Sequence, residues 1–332
     1  MVDFRYHLVS LISVFLALAV GVVLGAGPLQ APIASGLTNQ VDELRASQAR
    51  TSVEIEALRT DVAQRNQWIE ETTGQVLPGT LDGKKIALIA TEETQPEDLE
   101  AVGNLVAVAG GSVNQRVVLT PAWSSEAMSQ FRNSLAGPVA THLEGELPAE
   151  APASDVLSQA VLEILTKTTD DTQLLREILT DADNALLTME ADQVTSDAII
   201  FVGPRPAEEA AEEDPAATEP TEPVEETNTE VDPAMLISLA AAVAKAPASG
   251  VVVGDASAED SLIALVRAEG VGVTSVDSVG TSMAHASTVI SLLSADATPR
   301  AFGAAPSASA VVPPLPTKAS PAPAPTEVNE GE

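Results

Sequence analysis

The feature that most constrains this chain lies near its start. Leu8 to Gly27 is a run of 20 residues without a charge, about the length an α-helix needs to cross the hydrocarbon core of a bilayer. The apolar region of a signal peptide is usually shorter, about 7–15 residues. A cut after Gly27 puts Pro28 directly behind the scissile bond, and a cut after Ala26 puts the bulky Leu24 three positions back. Both are poor sites; a cut after Gly25 remains open. The run therefore reads as an uncleaved membrane helix, Leu8–Gly27, with a short cytoplasmic N-terminus over residues 1–7. Arg5 and the amino terminus flank one end, offset partly by Asp3, and the next basic residue beyond the run is Arg45. The positive-inside rule then keeps the N-terminus in the cytoplasm and sends everything after Gly27 outside. Tyr6 suits the membrane interface.

Ala17, Gly21 and Gly25 recur every four residues and fall on one helix face. Lipid gives helices no hydrophobic reason to pair, so close backbone approach over small side chains is one way they gain packing energy. Such spacings also arise by chance in glycine-rich membrane helices, and the following segment adds weight. Pro28 and Pro32 are expected to break the membrane helix, with Ser35-Gly36 as a fresh start. From there Leu37, Val41, Leu44, Gln48, Thr51, Ile55, Leu58, Val62, Arg65 and Ile69 alternate in steps of four and three, and seven of the ten are apolar. That is a heptad seam over residues 37–73, with Val41, Ile55, Val62 and Ile69 at a and Leu37, Leu44 and Leu58 at d, the distribution that favours a parallel two-stranded coiled coil. Glu54 at g attracts Arg59 at the following e across the seam. An amphipathic helix packed on its own domain is the simpler alternative, but no turn interrupts residues 37–73. At about 1.5 Å per residue the segment reaches roughly 50 Å. The expectation is a parallel homodimer. Gly74, Pro78 and Gly79 are expected to close the coil.

Beyond residue 80, short apolar runs alternate with helical patterns. "KKIALIAT", "SVNQRVVLT", "DAIIFVG", "SGVVVGD" and "VGVTSV" are strand candidates. Helical patterns fall at 96–109, 126–135, 156–165, 172–187, 233–246, 259–269 and 289–293. The alternation predicts an open, mostly parallel α/β domain of Rossmann or flavodoxin type over residues 80–302. It is interrupted by an acidic insertion, 204–233, with eleven acidic residues and one basic one between the flanking prolines. That stretch offers almost no apolar surface and reads as disordered. Residues 303–332 read as a disordered Pro/Ala-rich tail.

Composition limits the chemistry. The 332 residues hold 48 acidic and 16 basic side chains, a formal charge of −32, which excludes nucleic acid as a partner because phosphates need Lys and Arg to displace their counterions. There is no cysteine, hence no disulfide, thiolate metal site or thiol nucleophile. No G-x-G-x-x-G follows the first strand and no G-x-x-x-x-G-K-[ST] occurs. Asp255 and Asp277 stand at strand ends, where a carboxylate can act in a crevice but more often caps a helix. Ser282 and His285 lack the G-x-S-x-G elbow of a hydrolase. Histidine occurs only at positions 7, 142 and 285 and methionine at 1, 128, 189, 235 and 283, a thin supply of soft ligands. No catalytic residue, metal ligand or cofactor is assigned.

The stretch "DFRYHLVSLISVFLALAVGVVLGAG" closely resembles the start of the actinobacterial copper-transport protein B (MctB-like) family, including its corynebacterial SteB-like cell-division members. The resemblance continues through the heptads, "GKKIALIA", "GVVVGD" and "VTSVDSVGTSMAHASTVISLL", but leaves out the acidic insertion and the tail. It implies one of two roles. One is copper homeostasis of the envelope, with copper moved outward. The other is a single-pass division protein that pairs with a SteA-like membrane partner and uses its coiled coil to activate a RipA-like peptidoglycan hydrolase. The expectation is the second: a non-enzymatic envelope scaffold, with copper export the alternative and an enzyme acting through Asp255 and Asp277 a distant third.

Overall fold

A computed structural model describes residues 4–26, 30–145, 147–148, 150–181, 184–190, 194–205, 231–293 and 298–315. The chain divides into two compact units, Met1–Arg65 and Asn66–Glu332. The first contains helix α1, Phe4–Ala26, and most of helix α2, Gln30–Val76. Within α1, Arg5–Val23 has a mean hydropathy of 2.3 and none of its surface is buried. This is the one helix among the described residues long and apolar enough to cross a membrane.

Helix α2 starts seven residues before Leu37. Pro32 therefore lies inside it, not ahead of it as expected. It occupies the first turn, where backbone N–H groups have no intrahelical acceptor and a proline costs no hydrogen bond. At the far end Gly74 is also inside the helix. The stop comes at Pro78 and at Gly79, whose φ of +79° suits glycine.

The second unit is built on a seven-stranded sheet: β1 Lys85–Thr91, β2 Ser112–Leu119, β3 Leu187–Glu190, β4 Ala198–Val202, β5 Ser249–Val253, β6 Thr274–Val276 and β7 Ala301–Phe302. The order is β3-β2-β1-β4-β5-β6-β7. All pairs are parallel except β2–β3. This is the doubly wound 3-2-1-4-5-6 order with one edge strand reversed and a seventh added. The central strands are continuous apolar runs because both faces are covered. Ile199 and Phe201 of β4 face one core layer, while Ile200 and Val202 face the other. Helices α4 (Pro121–Ser124), α5 (Ser129–Ala140), α6 (Ala153–Thr166), α7 (Asp170–Leu179), α8 (Pro233–Val243) and α9 (Leu262–Ala268) pack on the first face. Helices α3 (Pro96–Val108) and α10 (Ser282–Ser291) cover the second, together with Leu77 and Leu81 from the chain leaving α2.

Two expectations are corrected. The 172–187 pattern is not one helix: α7 ends at Leu179 and β3 begins at Leu187. The residues following Phe302 are not free of the fold, since Ser309 and Ala310 donate backbone N–H groups to the Ala301 carbonyl and Gly303 donates to Ala310. The core of the acidic insertion, 206–230, and the tail from 316 lie outside the described residues.

Candidate functional site

Two regions bear on function. The first is the row of sequence-selected positions on α1 and α2. Ala17, Gly21 and Gly25 all fall within α1, and the space where a Cβ would stand on Gly21 is open. Leu37 falls within α2. On the same helix Val41, Leu44, Ile55, Leu58 and Val62 are 40–74% exposed, and Gln48 is exposed beside them. Ile69 is half-buried where α2 enters the second unit. In the single chain this apolar row is open to solvent along most of its length.

The second region is the carboxyl edge of the sheet. After β1 the chain passes to α3 on one face, and after β4 it passes to α8 on the other. Such a reversal opens a crevice between the two strands, where ligands of doubly wound sheets bind. Here it holds an ion cluster. Asp98, in the first turn of α3, is wholly buried and accepts from Arg205 Nε at 2.8 Å and Nη2 at 2.9 Å, a side-on pair. His285 of α10 meets the same carboxylate, Nε2 to Oδ1 at 2.8 Å. An ionised carboxylate only accepts, so Nε2 is the protonated ring nitrogen. Burial pushes the Asp98 carboxyl up, but the hydrogen bonds and charges of Arg205 and His285 outweigh it and hold it below the usual range. Thr94 braces the loop, donating to the Val202 carbonyl at 3.0 Å.

The residues weighed from sequence are distributed differently. His285 pairs with neither Ser282 nor Met283 but with Asp98, 187 positions away. Asp277 is wholly buried and fully engaged: it accepts from Arg267 at 2.9 Å, from Ser278 at 2.7 Å and from the backbone N–H of Ala304 and Ala305 at 2.7 and 3.2 Å. Its carboxyl, pushed up by burial, is drawn net below the usual range by these donors. Asp255 accepts from the backbone and hydroxyl of Ser257 in a local turn. Both therefore brace loops, and neither caps a helix: the N-cap positions that follow them are Ser261 and Thr281. Sequence reasoning missed Asp98 and Arg205. The signal was faint: Asp98 opens a helix after the first strand, and Arg205 is the one cation at the edge of an acidic stretch. Among the described residues no group of three or more His, Asp or Glu side chains is placed to hold a metal ion.

A family model described as "Copper transport outer membrane protein, MctB" matches residues 1–313. The chain belongs to the MctB family. Its curated relatives include proteins named copper transporter MctB from Mycobacterium tuberculosis and Mycobacterium bovis, each 31% identical over 167 residues, 49% of this chain and 53% of the relative. The Mycobacterium leprae protein of the same name is 30% identical over a match of the same length. The chain thus spans about half the length of the curated MctB relatives it matches.

Proposed function

We propose that this MctB-family chain is a non-enzymatic, membrane-anchored scaffold of the cell envelope, a parallel homodimer whose α2 helices pair outside the cytoplasmic membrane. The observation that carries this reading is the solvent-open row Val41, Leu44, Ile55, Leu58 and Val62 on a 47-residue helix that follows a membrane-length one. Apolar side chains at heptad spacing gain stability by burial against an equivalent seam. The flanking charges favour a parallel pair. Arg45 and Arg59 occupy e positions, and Glu54 and Asp61 occupy g positions. Parallel packing sets Glu54 against Arg59 of the second copy. Antiparallel packing sets e against e and g against g, arginine against arginine and acid against acid. The N-terminus lies in the cytoplasm and the α/β unit outside it.

The paired helices offer a long surface to a partner helix. The resemblance to SteB-like division proteins directs that surface towards a RipA-like peptidoglycan hydrolase, which the scaffold activates together with a SteA-like membrane partner. Pull-down with the intact dimer tests this: a cell-wall hydrolase is recovered, and Leu58→Asp abolishes its capture. Recovery of the same hydrolase by the Leu58→Asp chain would remove the seam from the account.

A second reading is favoured by the family match over residues 1–313 and by the copper-transporter name of the relatives. In it the chain serves copper homeostasis, with copper as cargo. Deleting the chain then raises cell-associated copper under copper load, while leaving separation of daughter cells intact. The scaffold reading expects the opposite pair of outcomes.

A further inference from the structure

The crevice at the β1/β4 reversal is filled by the chain itself. Both oxygens of Asp98 are taken by the Nε and Nη2 edge of Arg205, and His285 closes the third side. We propose that this crevice is a guanidinium-binding site which the chain occupies in cis with Arg205, an autoinhibitory contact that keeps the opening shut to guanidinium-bearing ligands.

Three observations support it beyond an ordinary ion pair. The receptor is preformed: Asp98 is 0% exposed and lies on a helix, with His285 fixing one oxygen from a second helix. Two parallel N–H donors from a planar group match that carboxylate edge-on, whereas an ammonium presents only a point charge. The arm that reaches Asp98 lies close against a residue without a side chain. Gly280 has φ +88°, and a Cβ there would stand 2.7 Å from Arg205 Nε and 3.0 Å from its Cδ. Finally, the occupant is peripheral while the receptor is core. The Arg205 side chain is 40% exposed and stands on the segment that leaves the sheet. Arg267 is only 9% exposed in its pair with Asp277 and braces the fold from inside. Withdrawing Arg205 leaves the Asp98 carboxylate with His285 as its remaining side-chain donor and with the edge that faced the guanidinium stripped of its cation. The inference is independent of whether α2 pairs.

The test uses the full chain in detergent, as wild type and as Arg205→Ala, titrated with methylguanidinium and with its neutral isostere N-methylurea. The variant melts lower than wild type and regains its melting temperature with methylguanidinium but not with N-methylurea. Methylammonium is a poor substitute. The wild type responds at least about tenfold more weakly, because a tethered side chain competes at high effective concentration. Adding Asp98→Asn to Arg205→Ala abolishes the recovery. If Arg205→Ala does not fold unaided, its yield on refolding with methylguanidinium is the same measure, and no increase over N-methylurea overturns the proposal. So does a folded variant indifferent to methylguanidinium, or a wild type that binds it equally well.

Discussion

Asp98, Asp277 and Glu163 are buried carboxylates that stay ionised for the same reason. Burial pushes each one up, and donors more than compensate: Arg205 and His285 for Asp98; Ser278, Arg267 and two backbone N–H groups for Asp277; Glu144 and Gly145 N–H groups, Gln159 and Lys167 for Glu163. A carboxylate whose folded value is lowered stabilises the native state above its unfolded value, about pH 4, and that stability is lost as pH falls through the lower folded value. The α/β unit therefore loses stability steeply below about pH 4, and Asp277→Asn flattens that acid limb in urea denaturation followed against pH. At neutral pH, Arg267→Met leaves the buried Asp277 charge without its cation and costs about 3 kcal/mol, read from the shift of the urea midpoint. Gly250→Ala acts by sterics: its Cβ runs into the carbonyl of Val243, where α8 turns into β5. A backbone clash of that kind costs about 2 kcal/mol or more, and its thermal midpoint falls accordingly. None of these residue-level links was legible in the sequence. Spacing puts neighbours on a face, but the 187 positions between Asp98 and His285 are bridged only by the order of the sheet.

Elements were more legible where burial is two-sided or periodicity long. "KIALIAT", "AIIFV" and "SGVVV" stand out as strands because their apolar side chains enter a core on both faces of the sheet. The two misread elements are the short edges. β3 has four residues of alternating exposure, too few to separate from the helical pattern before it, and β7 has two. Pro32 misled for a different reason: a proline breaks a helix interior but suits a first turn. The exposed row on α2 is the element-scale basis of the proposed dimer. Leu58→Asp puts two carboxylates into one seam layer and shifts the chain to monomer in detergent. A cysteine in place of Leu44 cross-links in membranes.

At the scale of the molecule, the formal charge is −32, the sequence holds no cysteine, and among the described residues one helix is long and apolar enough to cross a membrane. The scaffold reading and the copper reading part cleanly here. Calorimetry of the intact chain with Cu(I) and with Cu(II) gives no tight binding if the chain is a scaffold; saturable, high-affinity uptake of either ion would favour copper as cargo. Pairing of the long helices is the claim on which the scaffold rests, and mass measures it. Native mass spectrometry of the intact protein released from lipid nanodiscs should give twice the 34.1 kDa of one chain, collapsing to a single chain on Leu58→Asp. A wild-type protein that emerges as one subunit contradicts it.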